Sequence, residues 1–400
     1  MPPRFRPLLA LFLVALLAPA TAVRARDQKT VFHGLPVEPD TGFLKPRDVT
    51  PIILDPAWVY EGFAAPLAGD AAEVGMQVVA SDQSGRVVSI DIVTGSAVWT
   101  VELGEALPIG PAVASDLILQ GTTNGLLVAL GAVDGRERWR TTLGATPAAL
   151  PIVEGARLLI VTQAPELVSI DFGDGRVLSR LPLPGAPFAP ALGPDGVVIG
   201  TASGQLVAAG GDPLEIQWTR ELGHPITGPA LVDRKHVLVA TADRALWSLR
   251  GGSGRTSWKQ RVGSRVTARP RVVGDLLYVA CWDNDLYVLG RKNGHILGRA
   301  RLGHRLSGET TLLGEHLFVA PATEASVVAL ELPYLGVAGK SDLGAPGEWF
   351  TTAPVAAAAL PGVTVGWGRT TGRLLALRVV DTPVPPAAPA ASAAGATAPH

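Results

Sequence analysis

Few residues in this chain are of a type and spacing that could do chemistry. Cys281 is the only cysteine, so no intramolecular disulfide can form and no thiol pair is available for redox work. Its place recurs along the chain as Ser81, Thr122, Thr162, Thr201 and Thr241. That reads as a small packing residue ending an apolar run, not as an activated nucleophile. His224 and His304 each follow a Leu-Gly pair, and His236 and His316 each begin an apolar run. These spacings follow a long repeat, not the close spacing of a chelating site. Asp91 and Asp171 close Ser-Ile-Asp segments and are expected to cap turns. Neither G-x-S-x-G, a P-loop nor H-E-x-x-H occurs. The expectation is no catalytic residue, no metal site and no cofactor.

What remains is a set suited to recognition. His224, Arg265, Arg269, His304 and Arg305 fall in connections between repeat units, with Arg271 just beyond, and Trp282, Asp283, Asn284 and Asp285 fall in one hairpin. If strand direction alternates, those connections and that hairpin emerge on one face. Arginine beside an exposed aromatic ring is a common composition for a protein-interaction hot spot. The candidate partner-binding residues are therefore His224, Arg265, Arg269, Trp282, Asp283, Asp285, His304 and Arg305.

A repeat must position these loops. Trp99 and Trp139 are 40 residues apart, as are Trp218 and Trp258, with Leu178 between the pairs and Leu297 and Val337 after them. Trp58 precedes Trp99 by 41 residues. Each unit carries four short apolar runs, such as 111–114, 117–121, 126–130 and 136–142, separated by Asn124-Gly125 and Asp134-Gly135. Those dipeptides are strong hairpin signals. Four antiparallel strands in about forty residues make one propeller blade.

First strands are expected to begin near Pro66, Pro111, Pro151, Pro190, Pro229, Pro270, Thr310 and Pro354. That count predicts an all-β, eight-bladed β-propeller of four-stranded antiparallel blades. The last unit lacks a fourth strand, and the strand of Trp58 lacks the other three. The ring is expected to close by the N-terminal strand pairing into the C-terminal blade, which removes open edges. Trp58, Trp99, Trp139, Trp218 and Trp258 are expected to be wedges between blades, contributing apolar area.

The ends read differently. Arg4 and Arg6 precede an apolar run from Leu8 to Ala18 and a small-residue site at Ala20-Thr21-Ala22, the order of a secretory signal peptide. Residues 1–22 are expected to be that signal, 23–54 an extended leader, 55–380 the propeller, and 381–400 a Pro/Ala-rich disordered tail. Lys and Arg total 34 against 35 Asp and Glu. This lacks the concentrated positive field of a nucleic-acid-binding protein.

Units such as VVASDQSGRVVSIDIVTGSAVWTVELG and LLYVACWDNDLYVLGRKNGHILGRARLG resemble the PQQ-like propeller repeat. Within that family, the size, blade number and export signal are similar to those of the BamB group of outer-membrane-protein assembly factors. The resemblance implies a periplasmic, non-catalytic propeller that docks onto a membrane partner. BamB proteins carry a lipobox cysteine at the cleavage site, where this sequence has Thr21-Ala22-Val23. The chain is thus expected to be periplasmic or extracellular without a lipid anchor, and monomeric. The leading expectation is a scaffold for protein partners, including outer-membrane or envelope assembly components. Two alternatives stand beside it: a PQQ-dependent oxidoreductase, and a propeller holding a carbohydrate or small ligand in its channel.

Overall fold

A computed structural model describes residues 49–193, 195–303, 305–306, 309–321, 326–342, 363–368 and 372–381. The expected signal peptide, most of the leader and the tail beyond Asp381 lie outside these residues, as does His304.

Two strands of each repeat are apolar almost throughout. In 72–102, the second and third strands are Gln77–Ser81 and Arg86–Asp91, and all but the ends of both are buried. A strand reads this way when both sheet faces are covered. The fourth, Ala97–Glu102, alternates exposed and half-buried residues, as an outer strand with one wet face does. The first, Ala72–Val74, has three residues. These are strands A to D of blade 1, bonded in that order. The pattern recurs in 112–142, 152–182, 191–221, 231–261, 271–301 and 311–342, giving blades 2 to 7. No helix occurs among the described residues.

The blade count differs from the sequence expectation. The described residues form seven four-stranded blades, not eight. The remaining strands make a three-stranded sheet, in which the N-terminal Ile52–Tyr60 pairs antiparallel with Leu374–Asp381, and that strand pairs with Val363–Gly368. The eighth first strand, expected near Pro354, lies outside the described residues. A count of apolar runs registers composition, whereas a blade requires each run to join the ladder. The first count was displaced too. Pro66-Leu67 lies in a connection that makes one bridge, Leu67 to Asp82, and strand A begins at Ala72.

The expected pairing of the chain ends is present. Ile52 and Leu54 pack with Phe318, Val327 and Leu377 against blade 7. Trp58, Tyr60 and Leu374 pack with Val78, Val88 and Ile90 of blade 1. The three-stranded sheet therefore sits between the last blade and the first.

The core is divided among blade interfaces. Leu119, Leu127 and Trp139 of blade 2 meet Leu158, Ile160 and Val168 of blade 3. Equivalent clusters join blades 1–2, 3–4, 4–5, 5–6 and 6–7. Tryptophans at five junctions reinforce this packing in one way. Trp139 Nε1 donates to Phe172 O at 3.2 Å in the next blade's C–D turn. Its ring lies on Gly175, whose φ is +77° and where a Cβ would stand 2.5 Å from the ring. Trp58, Trp99, Trp218 and Trp258 donate likewise to Ile92, Ala132, Gly251 and Arg291. Each turn thus needs a residue with no side chain and a left-handed backbone, which only glycine supplies without strain.

Candidate functional site

The face that matters is built by the B–C hairpins and the connections entering each blade. The residue that ends strand B, or comes just after it, bridges back to the entering connection in six blades, for example Ile226 to Thr241 and Val266 to Cys281. Where this position holds aspartate or threonine, the side chain bonds within its own hairpin. Thr122 Oγ1 accepts from Leu126 N at 3.0 Å, and Thr201 Oγ1 accepts from Gln205 N at 3.2 Å. Asp82, not the expected Ser81, holds this place in blade 1. Its carboxylate accepts from the backbone of Ser84, Arg86 and Ala64 at 3.0, 3.1 and 2.9 Å. Burial opposes its ionisation, yet these bonds and one from the Ser84 hydroxyl together hold it below the usual carboxylate range. Cys281 fills the same place in blade 6. It is 1% exposed, and burial raises its thiol pKa far above the ordinary value, so it is packed as expected.

The hairpins of blades 5 and 6 depart from those of blades 1, 2 and 4. Where Gly85, Gly125 and Gly204 take positive φ, these two carry Arg244 at +65° and Asn284 at +69°. A side chain in that conformation costs about 1–2 kcal/mol. Arg244 uses it to reach Gly263 O at 3.3 Å, in the connection to blade 6. A Cβ on Gly263 would in turn collide with Asp283 and Tyr287. The two hairpins and the connection form one continuous surface.

Trp282 stands at its centre, 45% exposed. Its backbone N donates to Arg265 O at 3.0 Å, and its Nε1 to Thr267 Oγ1 at 3.0 Å. The first bond ties the backbone, and the second the ring, to the entering connection. The Arg265 guanidinium carbon lies 5.8 Å from the ring centroid, and that of Arg305, from the next connection, 6.0 Å. Both lie at about the limiting distance for a cation–π contact. Both arginines are exposed, and among the described residues neither has an acidic partner.

The acids nearby are already engaged. Asp283 accepts from the Tyr287 hydroxyl at 3.0 Å. Burial, then this carboxylate, push the Tyr287 phenol up to about 12. Asp285, 1% exposed, binds Arg299 at 3.3 Å and Arg301 at 3.1 Å. It anchors strands C and D and is not a surface group. Arg269 lies 4.0 Å from Glu309, and its buried Nε has no partner.

The sequence-predicted set is therefore brought together in part. Arg265, Trp282 and Arg305 converge, with Asp283 and Asp285 behind them. His224 belongs to blade 5, where it approaches Asp243 at 3.8 Å. Sequence reasoning missed that second cluster. Asp243 accepts from Thr241 Oγ1 at 2.6 Å and Lys259 Nζ at 3.1 Å. Burial opposes its charge, but these partners hold it below the usual range. Lys259 also lies 4.1 Å from the Trp247 centroid, and the two residues are directly paired across strands. That register was the available signal. Among the described residues, no three His, Cys, Asp or Glu side chains converge as a metal site would require.

The family described as outer membrane protein assembly factor BamB matches residues 83–208 and 166–329. No curated protein matches. Among solved structures, BamB from Moraxella catarrhalis is 18% identical, covering 82% of this chain and 98% of its own, with a TM-score of 0.67. The computationally designed Ika8 protein is 13% identical, with coverage of 82% and 100% and a TM-score of 0.70. The quinohemoprotein alcohol dehydrogenase ADHIIG from Pseudomonas putida HK5 is also 13% identical, with coverage of 83% and 78% and a TM-score of 0.66. At these identities the solved structures attest the propeller fold, shared by an assembly factor, a designed protein and an enzyme. The family match spans more than half of the 400 residues, and the chain belongs to the family of the outer membrane protein assembly factor BamB.

Proposed function

We propose that this chain is an exported, non-catalytic propeller that scaffolds protein partners in the cell envelope, binding them through the hairpin face of blades 5 and 6. The observation that carries the reading is Trp282. The ring is held by its Nε1 bond and its backbone by a second, yet the ring is left exposed beside two guanidinium groups that have no acidic partner among the described residues. An aromatic group fixed in advance loses little freedom on binding. Family membership supports a partner in outer-membrane protein assembly, and the signal-like N-terminus supports the periplasm.

The likeness to a quinohemoprotein dehydrogenase favours a second reading, quinone-dependent oxidation. The thiol pair which that resemblance would require is not available, since the one cysteine is buried under a hairpin. Affinity purification of the tagged chain from its native envelope fraction tests the first reading. Recovery of one or more stoichiometric protein partners is expected. Failure to recover any, together with dye reduction after quinone is added, would replace it with the second.

A further inference from the structure

We infer that the Arg265–Trp282–Arg305 cluster is a clamp for an acidic segment of a protein partner, a deepening that rests on the scaffold reading above. The charge balance is local. Lys and Arg nearly equal Asp and Glu over the whole chain, yet here the acids are consumed internally. Asp283 is held by Tyr287, Asp285 by Arg299 and Arg301, and Asp243 by Lys259, Thr241 and His224. Arg265 and Arg305 remain as exposed cations without acidic partners among the described residues, both about 6 Å from the centroid of one ring. A guanidinium accepts a carboxylate through paired N–H donors, and the shape of that fork selects planar anions. Two forks about a flat apolar ring suit carboxylates spaced along an extended chain, with the ring covering the apolar part between them.

A membrane surface fits the same charges less well. Of the large apolar side chains exposed among the described residues, only Trp282 and Leu150 lie in hairpins or entering connections; the others sit on strands or on the opposite turns. Interfacial binding draws on a cluster of apolar groups together with several cations. The ring is also tethered through Nε1, which suits docking against a shaped protein surface.

Photo-crosslinking tests this directly. A benzoylphenylalanine is placed at 282 in the full chain, and a second at Val133, which is 77% exposed in the C–D turn of blade 2 on the opposite face. Crosslinking is carried out in the native envelope, and the captured peptides are sequenced. Position 282 is expected to capture a protein segment carrying at least two Asp or Glu residues within one short stretch. Arg265→Glu with Arg305→Glu is expected to cut that capture roughly tenfold or more, and Arg265→Lys with Arg305→Lys to cut it less. Circular dichroism melting of the same variants should be unchanged, since both side chains are exposed. Capture at 282 of a neutral or basic segment or of lipid would overturn the clamp, and capture at Val133 with nothing at 282 would overturn both the clamp and the binding face, leaving only the scaffold role. Absence of protein capture at both positions would overturn the clamp and the scaffold alike.

Discussion

At the scale of single residues, the fold rests on contacts that each cross a blade boundary. Trp139 is the most buried of the five wedging tryptophans, joining blade 2 to the turn of blade 3. Trp139→Ala is expected to cost about 3–5 kcal/mol in chemical denaturation, from lost burial plus the cavity left behind. Gly175→Ala attacks the same junction from the other side. It places a Cβ against the ring at positive φ, so a loss of about 1–2 kcal/mol or more is expected in the same assay. Asp82 carries a pH signature. Its folded-state pKa is depressed, so its contribution is fully present above the unfolded value of about 3.9 and is lost as pH falls through the lower folded value. Asp82→Asn should be less stable at neutral pH and show a flatter acid limb in urea midpoints taken from pH 6 to pH 2.

The same scale shows what the sequence could and could not reveal. The tryptophan series was legible because a large ring recurring at fixed spacing marks one structural position repeated from blade to blade. The Trp247–Lys259–Asp243 cluster was not, because it depends on which residues face one another across strands C and D. The alignment of Cys281 with Ser81 was one residue off. Ser81 and Asp82 are both polar and buried, and only the bridge to Leu67 shows which of them caps the hairpin.

At the scale of elements, the strands followed from composition almost residue by residue. The runs expected at 117–121 and 126–130 are the strands Leu117–Gly121 and Leu126–Gly131. The three-residue A strands carry too little pattern to be placed so well, which is how Pro66 came to stand for Ala72. The N-terminal strand is the element most exposed to test. It pairs along its length with Leu374–Asp381 and buries Ile52 and Leu54. Those two side chains alone contribute roughly 1.5–3 kcal/mol each. Deleting residues through 60 should lower the melting temperature and raise self-association through the exposed edge. Adding the peptide of residues 49–61 should reverse both, as read by calorimetry and light scattering.

At the scale of the whole molecule, periodicity predicted a ring and misjudged its count. Among the described residues seven blades are four-stranded, and Ile52–Tyr60 shares a three-stranded sheet with Val363–Gly368 and Leu374–Asp381. The function follows from where the repeat is broken. The hairpins of blades 1, 2 and 4 keep glycine at the left-handed position, whereas those of blades 5 and 6 place Arg244 and Asn284 there. The blade 6 hairpin also carries an aromatic ring, Trp282, that stands 45% exposed beside Arg265 and Arg305. That two-blade departure was visible in the sequence as Trp282 among Asp and Asn residues. Its union with Arg265 and Arg305 required the ring to be closed in space.

The central claim is that this face, and not the opposite one, holds the partner. Quantitative recovery of envelope proteins on tagged wild-type, Trp282→Ala and Val133→Asp chains, each checked for an unchanged melting temperature, tests it most directly. Loss of the principal partner with Trp282→Ala and its full retention with Val133→Asp is the expected result. Full retention with Trp282→Ala, or loss with Val133→Asp, would contradict the claim.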